Sequence, residues 1–160
     1  MAYQLIETVE VGSGGASGIS FASIPQDGLD LVIVMSLRQT NSGDFVNAGF
    51  RLNATTRTKT TAFRVTNGDS VSSTTSYLFG INGSSTEANT FTFSRIFIPN
   101  YTSSQEKPVT HDVFGENTTR TNQINMQSQR FNITSGITSF NLDVGGTLAQ
   151  YSTASLYTIS

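Results

Sequence analysis

Apolar side chains recur at every second position of this chain, in runs too short to form anything but strands. Leu29, Leu31, Ile33, Met35 and Leu37 share one face of an extended segment, with Val32 and Val34 on the other, which predicts a central strand covered on both sides. Val46, Ala48, Phe50 and Leu52 repeat the pattern with Asn47, Arg51 and Asn53 outward. Phe63 and Val65 lead into Asn67-Gly68-Asp69, where Asn-Gly supplies the positive φ angles of a tight hairpin. Tyr77, Phe79 and Ile81 end at Asn82-Gly83. Phe91, Phe93, Arg95 and Phe97 alternate opposite Ile96 and Ile98 until Pro99, which lacks a ladder donor. Val109, His111 and Val113 make a weaker strand, and Met126 sits in a polar run up to Arg130, before Phe131 and Ile133. Phe140, Leu142 and Val144 run cleanly into Gly145-Gly146. Val9 and Val11 precede a Gly/Ser loop, Gly12 to Gly18, before Ile19 and Phe21; at the other end Tyr157 and Ile159 oppose Ala154 and Leu156.

No segment holds a 3.6-residue period, and Ser85-Thr86-Glu87-Ala88 reads as loop. About ten short strands at regular spacing, joined by turn residues, predict one all-β domain over 1–160. The expected fold is an antiparallel β-sandwich, jelly-roll-like, with no significant helix. Its expected core is Leu31, Ile33, Met35, Phe50, Leu52, Phe79, Ile81, Phe93, Phe97, Phe140 and Leu142. Strand order is not written in periodicity.

Ser, Thr, Asn and Gly fill 70 of the 160 positions, so most turns and outward faces are neutral and hydrogen-bonding. Such a surface places function on contact rather than in a pocket. A net charge of −2 argues against wholesale attraction to nucleic acid. The absence of Cys removes disulfides, thiolate catalysis and Cys-ligated metal together. The apolar run near Leu31 to Met35 is too short to cross a bilayer, and Met1 to Glu7 lacks the basic and apolar regions of a signal peptide. The chain is therefore expected to be made in the cytoplasm without membrane partners. Five Asn-x-Ser/Thr sequons, at Asn53, Asn82, Asn100, Asn117 and Asn132, are expected to stay unmodified for the same reason.

Chemistry-bearing residues are sparse. His111 is the one histidine, and Asp112 beside it points to the opposite strand face, so the two cannot act as a base and its orienter. No second His is present to share a zinc ion. Asp27, Asp30, Asp44 and Asp69 lie in or beside turns and lack the Asp-x-Asp-x-Asp-Gly run of a calcium loop. Gly12 to Gly18 lacks the Gly-Lys-Ser/Thr ending of a phosphate loop. No catalytic, cofactor-binding or metal residue is assigned. Arg51, Arg57, Lys59 and Arg64 form a local basic stretch, read either as a solvated face or as a patch for an acidic partner. Tyr77, Tyr101, Tyr151 and Tyr157 could stack on sugar rings or fill an interface, and Tyr101, in the loop Pro99 to Ser104, is the best placed, although a tyrosine packing its own loop is the more common role for such a residue. Tyr101, Arg57 and Lys59 are the expected partner-contact residues.

Several stretches resemble one family. Met1-Ala2-Tyr3 and Val9-Glu10-Val11-Gly12-Ser13-Gly14-Gly15-Ala16 lead into Ile19-Ser20-Phe21 and Ile24-Pro25-Gln26; Asp30-Leu31-Val32-Ile33-Val34 and Ile98-Pro99-Asn100-Tyr101-Thr102-Ser103 follow, with Tyr151-Ser152-Thr153-Ala154-Ser155-Leu156-Tyr157 at the end. Together they resemble small β-sandwich structural proteins of tailed bacteriophage virions, notably marine ones. The resemblance covers most of the chain, and its motifs are turns and strand starts. It implies a non-enzymatic virion protein. One placement is a capsid decoration (cement) protein on the major capsid protein, as a homotrimer. The other is a tail or head fibre module that binds a host receptor or surface glycan. A chain that starts directly with a strand favours decoration over a fibre with an attachment shaft.

Overall fold

The computed structural model describes residues 2–56, 58–66, 69–73, 78–116 and 123–160, with residues 59, 64–66 and 69–73 described by their backbone alone. Among the described residues there are twelve strands and no helix. They are β1 (Tyr3–Glu10), β2 (Ala16–Phe21), β3 (Asp30–Leu37), β4 (Phe45–Leu52), β5 (Lys59–Thr66) and β6 (Asp69–Ser73), then β7 (Phe79–Asn82), β8 (Thr92–Ile98), β9 (Lys107–Gly115), β10 (Gln123–Phe131), β11 (Phe140–Leu148) and β12 (Thr153–Ile159). They form an eight-stranded sheet in the order β1-β12-β3-β8-β9-β10-β5-β6 and a four-stranded sheet in the order β2-β11-β4-β7, antiparallel throughout.

Four pairings are nested. β1 pairs with β12, β2 with β11, β3 with β8 and β4 with β7, so the chain runs as one long hairpin wound over two sheets. That is the jelly-roll arrangement. The outermost pair brings the ends together: Ala2 N donates to Ser160 O at 3.0 Å, and Ser160 N returns a bond to Ala2 O at 3.2 Å. The remaining strands β9, β10, β5 and β6 lengthen the large sheet beyond β8 and form an extension to the basic roll.

The core lies between the sheets, and β3 supplies its centre with Leu31, Ile33, Met35 and Leu37, all buried. β4 and β11 answer with Ala48, Phe50, Leu52, Phe140, Leu142 and Val144. Phe50 stacks between Phe131 and Phe140, each at 5.7 Å, and Phe140 continues to Phe21 at 6.2 Å. Each such pair adds about 0.5–1.5 kcal/mol beyond burial. β3 is an interior strand, as its pattern predicts. Its outer Val32 is buried between its cross-strand neighbours Tyr157 and Phe97 rather than under a further layer.

The structure corrects several details. Leu29 lies just before β3 and is exposed. The Gly/Ser loop is shorter than expected: Gly15 N bonds Gly12 O at 3.0 Å, Gly15 takes φ +70°, and β2 has begun by Ala16. Phe93 and Phe97 do not join the core. Thr92, Ser94, Ile96 and Ile98 face inward instead, leaving Phe93 exposed and Phe97 half-buried. Interior hydrogen bonds fix that frame: Asn82 N donates to Thr92 Oγ1 at 2.8 Å, and Ser94 Oγ meets His111 Nε2 at 2.7 Å. Phenyl rings at those positions would leave Asn82 and His111 without these partners. The polar run ending at Arg130 is a nine-residue strand, β10. Thr66 pairs with Asp69 across β5 and β6, leaving a two-residue connection; Asn67 and Gly68 themselves lie outside the described residues.

Candidate functional site

The extension is patterned the opposite way from the rest of the molecule. In β10, Gln123, Asn125, Gln127 and Gln129 point inward and are buried, while Ile124 and Met126 point out. The inner row faces the edge of the small sheet at β7. Gln127 Nε2 donates to Leu78 O at 3.4 Å, Gln129 Nε2 to Gln127 Oε1 at 2.5 Å, and Gln123 Oε1 lies 2.2 Å from where a Cβ on Gly80 would stand. The bare α-carbon of Gly80 gives the Gln123 amide room to lie against β7, and a side chain there would make that amide shift. Gln127 thus pairs a backbone carbonyl at the sheet edge, while Gln123 Oε1, both amide atoms of Asn125 and Gln129 Oε1 are buried without a protein partner among the described residues.

Across the outer side of the extension, apolar side chains fall into register. Phe93 on β8 lies opposite Phe114 on β9, which lies opposite Ile124 on β10. One step along, Arg95, Asp112, Met126 and Phe63 stand in line over β8, β9, β10 and β5. The apolar members are 43% (Phe93), 41% (Phe114), 41% (Ile124), 51% (Met126) and 49% (Phe63) exposed. The Phe93 and Phe114 rings sit 6.1 Å apart, tilted by 36°. Arg95 Nη2 donates to Asp112 Oδ2 at 2.6 Å, so the charge within the face is balanced. Contiguous exposed apolar surface of this kind marks an interaction site, whereas scattered exposed residues do not.

A second, polar surface lies on the outer side of the small sheet. Arg51 Nη2 and Asp143 Oδ2 form an exposed ion pair at 2.8 Å, and Asn141 Nδ2 donates to Ser20 Oγ at 2.8 Å. Two open depressions share Arg51 and Asp143, one reaching Asn47 and Leu78, the other Ser17 and Ser20. Gly18 floors the second, and its bare α-carbon lets β2 lie against Leu142 O.

The expected contact residues separate. Tyr101 is fully buried and cannot meet a partner. Its hydroxyl donates to Pro25 O and accepts from Gly28 N at 3.3 Å, and its carbonyl accepts from Ile137 N at 3.0 Å, so it pins three segments together. Burial raises the pKa of its hydroxyl. Arg57 lies outside the described residues, as does Tyr77; Lys59 opens β5, opposite Arg130. Arg51 belongs to β4 of the small sheet, while Lys59 and Arg64 belong to β5 of the large one, so the basic stretch is split between two sheets. Tyr151 is exposed at a positive-φ turn, and Tyr157 meets Tyr3 edge-on at 6.2 Å on the outer side of β1 and β12.

His111 points into the core and Asp112 out of it, as strand alternation requires. Burial lowers the His111 pKa to about 4, with Gln127 and Asp112 opposing the shift. Lys107 is also buried; its ammonium donates to Ser103 O at 2.6 Å and to Gln105 O at 2.5 Å, and burial lowers its pKa. Both side chains are held by the fold, away from either outer face. Among the described residues, no three His, Asp or Glu side chains gather as metal ligands would.

No protein-family model, curated protein or solved structure matches this chain. The surfaces themselves therefore carry the functional argument, together with the resemblance in the sequence.

Proposed function

We propose that this chain is a non-enzymatic structural protein of a bacteriophage virion that works through protein contacts, as a capsid decoration protein. The observation that carries the contact role is the registered apolar face of Phe93, Phe114, Ile124, Met126 and Phe63, set on strands added to the jelly roll. The placement on a virion rests on the resemblance of the turn and strand-start motifs. Jelly rolls occur among viral capsid proteins, which agrees with that placement by analogy of fold. The polar face around Arg51 and Asp143 suits the capsid: it offers many modest hydrogen bonds, and repeated copies on a shell add avidity.

A fibre module that binds a host glycan is the second reading. The same polar groove favours it, because a neighbouring guanidinium, carboxylate and amide can bracket sugar hydroxyls. Co-sedimentation separates the two. The purified protein is spun once with capsids that lack it and once with host cells. Saturable binding to capsids, weakened by Arg51→Ala, supports decoration. Binding to cells alone moves the role to adhesion, and binding to neither overturns both placements.

A further inference from the structure

We infer that the outer face of the large sheet centred on β8 and β9, with the apolar side chains of β10 and β5 beside them, is the surface through which two copies of this chain pack sheet against sheet, related by a two-fold axis. The inference rests on the reading of this face as a protein contact and names its occupant as a second copy, in place of the three-fold assembly that the sequence resemblance implies.

Size supports it. With about 200 Å² for a fully exposed large side chain, the five apolar residues present about 450 Å². A standard interface takes about 800 Å² from each partner, of which about 57% is apolar. The apolar centre thus has the area of half such an interface, and the outward Thr61, Thr110 and Ser128 beside it supply a polar rim. Sheets pack face to face about 10 Å apart, with side chains from both interdigitating.

Charge supports a second copy over an unrelated partner. An isologous contact must be complementary to itself. This face carries Arg95 and Asp112 side by side within an apolar field, and further along β10 Arg130, itself paired to Glu106 at 3.3 Å. A two-fold axis in the plane between the sheets, running between β8 and β9, brings Arg95 of one copy over Asp112 of the other and Phe93 over Phe114, repeats the contact in reverse, and sets β10 and β5 of each copy against β3 and β12 of its partner. A face of one sign would repel itself there. The net charge of −2 adds little long-range repulsion.

The test is sedimentation equilibrium at micromolar to 100 µM protein. The wild-type chain is expected to sediment at twice its 17.2 kDa mass. Phe114→Thr combined with Ile124→Thr keeps strand-forming residues on an exposed face and is expected to raise the dissociation constant at least about 100-fold. Tyr3→Thr, on the outer side of β1, is expected to leave it unchanged. The deciding experiment uses charge reversal. Arg95→Asp and Asp112→Arg are each expected to be monomeric, and their equimolar mixture is expected to dimerise, because only the mixed pair restores opposite charges across the axis. Thermal melting of each variant establishes that it is folded. A wild-type monomer or trimer overturns the inference, and so does a mixture that stays monomeric while both variants are folded. Capsid co-sedimentation is read separately: a dimer that ignores capsids keeps this inference and removes the virion placement, and a capsid-binding monomer does the reverse.

Discussion

His111 stands edge-on to Phe79, with ring centroids 4.4 Å apart and planes at 89°, and meets Phe50 at 5.6 Å in the same manner. The imidazole is the polar centre of an aromatic cluster, and Ser94 holds its Nε2 at 2.7 Å. A charged ring would sit poorly there, which gives the fold a defined response to acid. The folded pKa is about 4 against 6.5 for the free side chain. Between those values the unfolded chain takes up a proton that the folded chain refuses. Stability is therefore full above pH 6.5 and falls as the pH drops toward 4. The loss reaches about 3 kcal/mol below pH 4. Urea titrations at pH 7, 5.5 and 4 measure it. His111→Gln, which retains an amide near the Nε2 position, is expected to flatten this part of the profile.

Tyr101→Phe removes the donor to Pro25 O and the acceptor for Gly28 N while keeping the ring. It is expected to destabilise the fold by about 1–2 kcal/mol, the cost of leaving part-buried partners unpaired. Capsid or cell binding per folded molecule is expected not to change, because the residue is buried. A binding defect at full folding would return Tyr101 to an interface role.

Ile33 lies at the middle of β3 with no exposed surface. Ile33→Asp places an unpaired carboxylate between the sheets and is expected to abolish folding. Soluble protein with native circular dichroism and melting would contradict the assigned core.

Glycines in one short region are expected to behave differently. A Cβ on Gly18 would stand 2.2 Å from Leu142 O of the adjacent strand backbone, whereas Gly14 has open space around it. Gly18→Ala is expected to cost about 1–3 kcal/mol by forcing β2 from β11. Gly14→Ala is expected to be neutral or to stabilise by a few tenths up to about 1 kcal/mol through the unfolded chain. Paired thermal melts compare them.

Strands β3, β4 and β11 are legible in the sequence because each buries one face against the opposite sheet, and period two then spells out the buried set. β8 is ambiguous by the same logic. Both of its faces hold large apolar residues, and the choice of Ile96 and Ile98 over Phe93 and Phe97 depends on Asn82 and His111, which are distant in sequence. β10 hides for the opposite reason: its inward residues are amides that answer a sheet edge, so hydrophobicity marks the wrong face. Tyr101 follows a proline and an asparagine in a turn, where packing on its own loop and contact with a partner are both open from sequence. Its burial depends on Pro25, a partner that no local pattern reveals. The apolar face goes unnoticed because its members come from four strands, and only the pairing register brings them together.

Because Ala2 and Ser160 bond to each other, the two ends leave the same edge of the large sheet as a pair. A short linker could join them and new ends could be opened at the exposed Ser13-Gly14 turn between β1 and β2, giving a permuted chain of the same fold. Peptides joined at Ala2 or Ser160 would project from the same edge, beside β1 and along the sheet from the β8–β5 face, so cargo could be carried without covering the surface assigned to assembly.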